Sequence, residues 1–133
     1  MKKICIIDGQ GGGIGAAVIK KIKEKLGERI EIIALGTNAI ATANMLKSQA
    51  NKGASGENAI VRTVLSADII IGSISVILPH GMMGEVTPRM AEAVACSGAK
   101  KILIPLLKED IVIAGSEYAP LPHLIEEIIE KHL

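Results

Sequence analysis

The chain has 133 residues, a formal net charge of +1 at pH 7, and hydrophobic residues at 49% of its positions. This length fits one domain, so we expect residues 1–133 to fold as a single unit. The near-zero net charge and the single aromatic residue, Tyr118, argue against a nucleic-acid partner, because such proteins present a strong basic patch or aromatic rings on which bases stack.

The apolar segments argue against secretion and membrane insertion. Only four apolar residues stand between Lys3 and Asp8, fewer than a secretory signal needs. The longest apolar region, Ile69–Leu78, is interrupted by Gly and Ser and is too short to span a bilayer. Cys5 and Cys96 form no Cys-x-x-Cys pair and are interpreted as free thiols of a reducing compartment. We therefore expect a cytoplasmic protein without a membrane partner.

The first part of the chain alternates aliphatic strands with a long helix. Lys3–Asp8 is an apolar run that ends in a polar residue and glycines, which is typical of a strand buried on both faces. Ile14–Leu26 is predicted as a helix, because apolar residues recur every four positions and Gly27 follows as a stop signal. Ile30–Leu35 is predicted as the second strand.

The rest of the chain continues this alternation. Thr87 and Pro88 are typical of a helix start, with Thr as the N-cap. The remaining predicted elements, in chain order, are helices Ala39–Gln49 and Glu57–Leu65 with a loop at Asn51–Gly56, a strand at Asp68–Gly72 that is extended or restarted through Ile74–Leu78, a helix from Pro88 to Ser97, strands Lys101–Leu106 and Ile111–Ala114, and a final helix after Pro122.

Alternating strands and helices predict an α/β fold, a three-layer Rossmann-like sandwich with a mostly parallel sheet of about five strands. The last pair of strands is the exception. The link from Lys101–Leu106 to Ile111–Ala114, with a turn at Lys108–Asp110, is too short for a parallel crossover. We expect the last strand to be an antiparallel edge strand or to form a hairpin with the strand before it.

The strongest motif is the loop Gly9–Gly15, which holds five glycines in seven residues between a strand and a helix start. Glycines let backbone N–H groups approach an anion closely, and the helix N-terminus adds partial positive charge. A tight turn alone would need only one or two glycines. The sequence therefore predicts a site for a phosphate or another anionic group, built from Gly9, Gln10, Gly11, Gly12, Gly13, Ile14 and Gly15.

Other loops should converge on the same crevice. Ligands of open parallel sheets bind beyond the carboxyl ends of the strands, and right-handed crossovers place the helix starts at that edge. We expect further ligand contacts there from small and polar residues: Gly36, Thr37, Asn38, Ser55, Gly56, Glu57, Asn58, Gly72 and Ser73.

Asp8, His80 and Glu85 are the candidate catalytic residues. His80 and Glu85 share a glycine-rich loop, and a His with a carboxylate can perform acid–base chemistry, although a loop His is also typical of an ordinary surface. The Asp8 carboxylate would repel a bound phosphate unless a cation intervenes. It is interpreted either as a contact of Mg²⁺ or of a ligand hydroxyl, or as a structural cap of the glycine loop. No zinc site is expected, because the His and Cys residues lack a ligand spacing.

The glycine loop resembles that of the short-chain dehydrogenases, whose Gly-x-x-x-Gly-Ile-Gly matches Gly9, Gly13, Ile14 and Gly15. This resemblance implies a nucleotide or dinucleotide ligand. Three departures stand against a dehydrogenase. Asp8 replaces the Thr or Ser of that family, no acidic residue ends the second strand, and the Tyr-x-x-x-Lys motif is absent. A P-loop ATPase is not expected either, since no Gly-Lys-Ser/Thr occurs.

A second resemblance covers nearly the full length of the chain and rests on four segments. Ile7–Gly15, Ala34–Ala39, Gly53–Ala59 and Gly84–Pro88 resemble a family of short bacterial proteins, the domain of unknown function 3842. This resemblance implies a bacterial protein of one domain and no particular activity.

The sequence thus predicts a chain that binds a nucleotide or another phosphorylated small molecule at the Gly9–Gly15 loop, with catalysis left open. A non-catalytic ligand sensor and a structural oligomeric module are the alternatives. A homodimer is also expected, because the apolar stretch Ile74–Pro79 with Met82 and Met83 would otherwise lie exposed. The alternative is that Ile74–Leu78 packs under the terminal helix.

Overall fold

Five parallel strands form one sheet in the order β3-β2-β1-β4-β5. The structure is a computed structural model that describes residues 1–106 and 109–133, so the predicted turn at Lys108–Asp110 begins outside the described residues. The parallel sheet confirms the predicted α/β architecture. The strands are β1 (Lys2–Asp8), β2 (Ile30–Gly36), β3 (Lys52–Ser55), β4 (Ile69–Ser73) and β5 (Lys100–Ile104).

Helices cover both faces of the sheet and complete the three layers. They are α1 (Gly13–Leu26), α2 (Ala39–Lys47), α3 (Glu57–Thr63), α4 (Pro88–Cys96) and α5 (Leu121–Glu127). Helices α1, α2 and α5 pack on one face, and α3 and α4 pack on the other. Short 3-10 turns follow α1, α3 and β4 at 27–29, 64–66 and 74–77, and a π-helical turn at 128–132 ends the chain. None of the helices in the described residues is long and apolar enough to cross a membrane.

Side chains of β1 divide between two hydrophobic clusters, which explains its continuous apolar sequence. Ile4 and Ile6 pack under α1 and α5, whereas Cys5 and Ile7 pack under α3 and α4. All four are buried, and each isoleucine removed from water contributes roughly 1.5–3 kcal/mol. A central strand of a doubly covered sheet therefore needs no polar alternation.

The predicted loop at Asn51–Gly56 is wrong, because four of its residues form β3 at the sheet edge. Three of the four residues of β3 are exposed and one of them is a glycine, so the strand leaves no hydrophobic pattern in the sequence. Backbone pairing from Ile33↔Lys52 to Gly36↔Ser55 holds it against β2. This strand supplies the fifth member of the sheet.

The predicted last strand is wrong as well. Residues 111–114 lie outside the sheet, and β5, which ends at Ile104, is parallel to β4. Ile111 is 44% exposed and Val112 is 91% exposed, so this apolar run has no buried face. A short apolar run carries no periodicity that separates a strand from an exposed extended segment.

The segment Ile74–Leu78, which was predicted to extend or restart the strand β4, begins with a 3-10 turn at Ile74–Ile77 and is not a strand. Val76 is buried, and Ile77 packs with it in the cluster under α4. The segment therefore packs within the chain, against α4 and not under the terminal helix. This packing removes the reason for a dimer interface at Ile74–Leu78, whereas Met83, the other part of the expected interface, is 93% exposed.

The strand order reverses between β1 and β4, and the candidate site lies at this point. β1 is followed by strands on one side, and the chain then crosses to β4 and β5 on the other. Ile6 pairs with Ile71, so Asp8 and Ser73 each stand two residues further along neighbouring strands. Both share the face on which α1 packs, because side chains alternate along a strand.

Candidate functional site

A cavity of about 370 Å³ opens beyond the carboxyl ends of β1, β4 and β5. This is the edge of an open parallel sheet at which ligands bind. Its wall combines carboxylates, hydroxyls, a histidine and apolar side chains. The lining residues are Asp8, Gln10, Ile14, Ser73, Ser75, His80, Met82, Met83, Leu106 and Glu109.

The Asp8 carboxylate caps the glycine loop. Its Oδ1 accepts a hydrogen bond from the N–H of Gly9 (2.8 Å), and its Oδ2 accepts one from the N–H of Gly15 (2.7 Å) in the first turn of α1. Burial raises the pKa of Asp8 above its ordinary value, the hydrogen bonds from Gly15 and Gly9 oppose this rise, and the nearby charge of Glu85 adds to it. Asp8 thus takes the capping role, and it still lines the cavity.

Two backbone amides of the loop stay open to a ligand. Gln10 N–H donates to Glu85 and Gly12 N–H donates to the carbonyl of Gly9, in addition to the two bonds to Asp8. The N–H groups of Gly11 and Gly13 have no hydrogen-bond acceptor among residues 1–106 and 109–133, and both residues are exposed. A Cβ built at either glycine meets nothing within 4 Å.

Glu85 joins the loop to the end of β2. Its Oε1 accepts hydrogen bonds from Gln10 N–H (2.7 Å), Thr37 Oγ1 (2.6 Å) and Asn38 Nδ2 (2.9 Å). Burial by itself would raise the pKa of Glu85, but the hydrogen bonds from Thr37, Gln10 and Asn38 outweigh it and lower the pKa. Glu85 therefore stabilises this junction in its ionised form.

Replacing Glu85 by Ala is expected to lower the free energy of unfolding by about 2 kcal/mol, because three half-buried donors lose their acceptor.

The lowered pKa of Glu85 contributes stability at pH values above the ordinary pKa near 4.5. This stability is lost as the pH falls through the folded-state pKa of Glu85. Wild type should therefore lose stability below about pH 4.5 more steeply than Glu85→Gln, which keeps an acceptor oxygen without the charge. Urea unfolding from pH 3 to pH 7 measures this, and parallel curves for the two proteins would contradict it.

Backbone strain concentrates around the cavity. Four lining residues have left-handed φ angles: Gln10 (49°), His80 (66°), Met82 (55°) and Met83 (58°). Gln49 is the only other non-glycine residue of the described chain with a positive φ. Such conformations cost roughly 1–3 kcal/mol each and cluster at binding sites, where the surroundings hold them in place.

Two serines at the end of β4 differ in their hydrogen bonding. The Ser75 hydroxyl donates to the carboxylate of Glu109, which also accepts from the N–H of Met82 (3.2 Å). Ser73 is only 3% exposed and lines the cavity, and its hydroxyl has no hydrogen-bond partner among the described residues. The hydroxyl oxygen is not one of the fully buried polar atoms of the described chain that lack a partner, so it is open to the cavity, where a ligand can bind it.

The family model of the domain of unknown function DUF3842 matches residues 3–133. The chain belongs to this family. The comparison with curated proteins finds no match. Among solved structures, a dodecameric FMN-dependent UbiX-like decarboxylase from Escherichia coli O157:H7 is similar, with 18% identity over 81% of this chain and 69% of that chain and a TM-score of 0.49. A similarity at this level supports no inference about what this chain binds.

Several of the predicted ligand contacts of this DUF3842 chain instead hold the fold together. Asn38 caps α2 through Ala41 N–H, and its amide and the Thr37 hydroxyl both donate to Glu85. The Ser55 hydroxyl donates to Thr42. A side chain added at Gly72 would lie 2.8 Å from a backbone oxygen of β1, so this glycine permits close strand packing.

The loop before α3 does not reach the cavity. Ser55, Gly56, Glu57 and Asn58 are absent from its wall. Glu57 instead accepts a hydrogen bond from Thr87 Oγ1 (3.2 Å), which ties the start of α3 to the start of α4. Of the loops predicted to converge, those after β1 and β4 contribute to the cavity wall, together with residues that follow β5.

His80 and Glu85 do not form a hydrogen-bonded pair. Glu85 faces Gln10 and β2, whereas His80 is exposed at the cavity wall, and its ring has no hydrogen bond with another described residue. No group of three or more His, Cys, Asp or Glu suited to a metal ion lies within residues 1–106 and 109–133.

The predicted site residues did not include five residues that line the cavity: Ser75, Met82, Met83, Leu106 and Glu109. Ser75 follows Ser73 at the end of a buried aliphatic strand, and this pair of small polar residues was a usable signal. Glu109 had no local signal, because it contacts Ser75 and Met82 from 34 and 27 positions away.

Proposed function

We propose that this chain binds a nucleotide or another phosphorylated small molecule in the cavity, with the anionic group held by the N–H groups of Gly11 and Gly13. The observation that carries this proposal is the pair of exposed amides without a partner at Gly11 and Gly13. These two residues do not line the cavity of about 370 Å³ themselves, but their neighbours Gln10 and Ile14 do. Cavities that hold small molecules have volumes of roughly 300–1,000 Å³.

The electrostatics of α1 support an anion at this position. The helix has 14 residues, and its N-terminal N–H groups carry partial positive charge. Open space over Gly11 and Gly13 lets an anion approach the backbone closely. The Asp8 carboxylate opposes a second anion, but its charge is already stabilised by two N–H groups.

We propose binding without assigning a reaction. The candidate acid–base groups do not form a hydrogen-bonded pair, since Glu85 binds Gln10, Thr37 and Asn38 instead of His80. His80 and Asp8 line the same cavity, so a bound ligand would contact both. A non-catalytic ligand sensor would use the same loop. A measurement of turnover distinguishes the two, because an enzyme converts the ligand and a sensor only binds it.

Gly13→Val is expected to abolish binding of the phosphorylated ligand while the fold is kept, because the added side chain would occupy the space over the open amides. Gly98→Val is the matched control, since a Cβ there also meets nothing within 4 Å and the residue is remote from the cavity. Thermal-shift assays with nucleotides and sugar phosphates measure this. A ligand at one hundred times its Kd should stabilise wild type and Gly98→Val by roughly 2.7 kcal/mol.

The same assay with Mg²⁺ or with chelator tests the predicted cation at Asp8. If Asp8 acts through Mg²⁺, affinity rises with Mg²⁺ in wild type and not in Asp8→Asn. No shift with any phosphorylated compound would contradict the proposed function.

We still predict a homodimer. The exposed apolar side chains support an interface other than the one expected from the sequence at Ile74–Pro79. Val112 is 91% exposed and Tyr118 is 90% exposed, both on the segment that precedes α5. We expect light scattering at micromolar concentration to give twice the mass of 13.9 kDa. Val112→Glu should yield the monomer, whereas Leu65→Glu, at a residue 71% exposed elsewhere, should not. A monomeric wild type would contradict the prediction.

A further inference from the structure

The glycine loop has few donors left for a ligand. Four of its amides, those of Gly9, Gln10, Gly12 and Gly15, are bound to Asp8, Glu85 and the carbonyl of Gly9. A hydrogen bond from the N–H of Ile14 also lowers the pKa of Asp8, which leaves only the N–H groups of Gly11 and Gly13 in this loop without an acceptor among the described residues. A pyrophosphate needs a longer row of donors, because each of its two phosphates carries charge that must be satisfied.

Two carboxylates contact the loop. Asp8 lies at the cavity wall, at the end of β1. Glu85 binds Gln10 of the loop and Thr37 after β2 through its Oε1, and its charge raises the pKa of Asp8. A ligand that extended from the loop across the end of β2, as a dinucleotide does, would place its second phosphate near the ionised Glu85.

The part of the cavity wall that holds Ser73 and Asp8 is suited to a hydroxyl group. Ser73 is 3% exposed, and its hydroxyl has no partner among the described residues, so it can both donate to a ligand and accept from one. Asp8 stands beside Ser73 in the strand register, and its two oxygens, with four lone pairs, accept the N–H groups of Gly9, Gly15 and Ile14, which leaves one lone pair for a ligand. Asp8 therefore accepts a hydrogen bond from a ligand and donates none while ionised.

We infer that the ligand carries a single phosphate and donates a hydroxyl to Ser73 and Asp8, which is the chemistry of a phosphorylated polyol or a nucleoside monophosphate. Diphosphate-linked compounds, dinucleotides included, are disfavoured. This inference rests on the proposed function, because it assigns the phosphate to Gly11 and Gly13. Beyond the proposed function, it specifies how many phosphates the ligand carries and which residues recognise its hydroxyl group.

Calorimetric titration of the full chain with matched compounds tests the number of phosphates. AMP and ADP differ only in phosphate number, and FMN with FAD compares a flavin monophosphate with a diphosphate-linked dinucleotide that also carries an adenosine. We expect each monophosphate to bind at least about tenfold more tightly than its diphosphate partner. Equal or tighter binding of ADP and FAD would overturn the inference and leave the proposed function standing. If neither these compounds nor ribose 5-phosphate and inorganic phosphate bind, the proposed function is refuted and the inference with it.

Ser73→Ala tests the hydroxyl end, and Ser66→Ala, at an exposed serine distant from the cavity, is its control. Loss of one neutral hydrogen bond should weaken the tightest organic monophosphate about fivefold in Ser73→Ala. Inorganic phosphate has no hydroxyl-bearing carbon chain, so its affinity should be the same in both variants. An unchanged affinity for the organic monophosphate, or an equal loss for inorganic phosphate, would overturn the role of Ser73. Circular dichroism of both variants establishes that they fold, and the retained Cβ keeps the packing of β4.

Discussion

Replacing Gly12 by Ala is expected to lower the free energy of unfolding by about 3 kcal/mol. Gly12 has a φ of 75°, a left-handed conformation that costs a residue with a side chain roughly 1–2 kcal/mol. The added Cβ would lie 2.7 Å from the carbonyl oxygen of Ala41 and 2.9 Å from its Cα. Because these are backbone atoms of α2, the two helices must move apart, and such overpacking costs a further 1–3 kcal/mol or so.

Gly13→Ala is the matched control for this prediction. The two glycines are adjacent, but the Cβ of Gly13 meets nothing within 4 Å and its φ is not positive. We expect an unchanged or slightly higher stability, by up to about 1 kcal/mol, because Ala restricts the unfolded chain. Urea unfolding of both variants measures the difference, which corresponds to roughly 10 °C in Tm. Equal stabilities of the two variants would show that α1 and α2 do not pack through Gly12 as described.

Replacing Asp8 by Ala is expected to lower the free energy of unfolding by about 3 kcal/mol at pH 7. The N–H groups of Gly9 and Gly15 lose their acceptor in a buried environment, and each unsatisfied donor costs roughly 1–3 kcal/mol. Removal of a buried charge offsets part of this cost, since Asp8 is only 6% exposed. Asp8→Asn is expected to lose less, because one oxygen still accepts while the amide nitrogen opposes the other donor.

The pH dependence of Asp8 has the opposite sign to that of Glu85. Its folded-state pKa is raised, chiefly by burial, so the folded chain holds this proton more tightly than the unfolded chain does. The stability contribution is full below the ordinary value near 3.8 and decreases as the pH rises through the raised pKa. Unfolding curves of wild type minus Asp8→Ala should therefore diverge most at low pH. A difference that grows between pH 4 and pH 7 would contradict this assignment.

Local patterns were sufficient for the elements that bury apolar side chains. Strands β1, β2 and β4 are aliphatic because both of their faces are covered, and α1 shows its buried stripe as Val18, Ile19 and Ile22. The Thr87 N-cap was identified correctly, since its hydroxyl accepts the N–H of Met90 within four residues. Each of these signals involves residues that are close together in the chain, so a single sequence is enough to recognise them.

Segments that are paired only through the backbone, or whose apolar side chains are exposed, are harder to recognise from the sequence. β3 was missed because its pairing with β2 uses backbone groups that every residue carries. Ile111–Ala114 was predicted as a strand for the opposite reason, since its apolar residues are exposed and nothing local indicates exposure. The boundary of β5 was too late by two residues, and Leu106 lines the cavity instead.

The sequence by itself determined the α/β class, the long central elements and the position of the glycine loop at the end of β1. The tertiary structure alone decided which polar groups of that loop remain open. Glu85 reaches Gln10 from 75 positions away and Glu109 reaches Ser75 from 34, and these contacts remove donors and close the cavity wall. Local propensity depends on neighbours within a few residues, whereas a carboxylate satisfies whichever donor the packed fold brings to it. Hydrogen-bond partners across the crevice therefore emerge only when the strand order and the loop conformations are known.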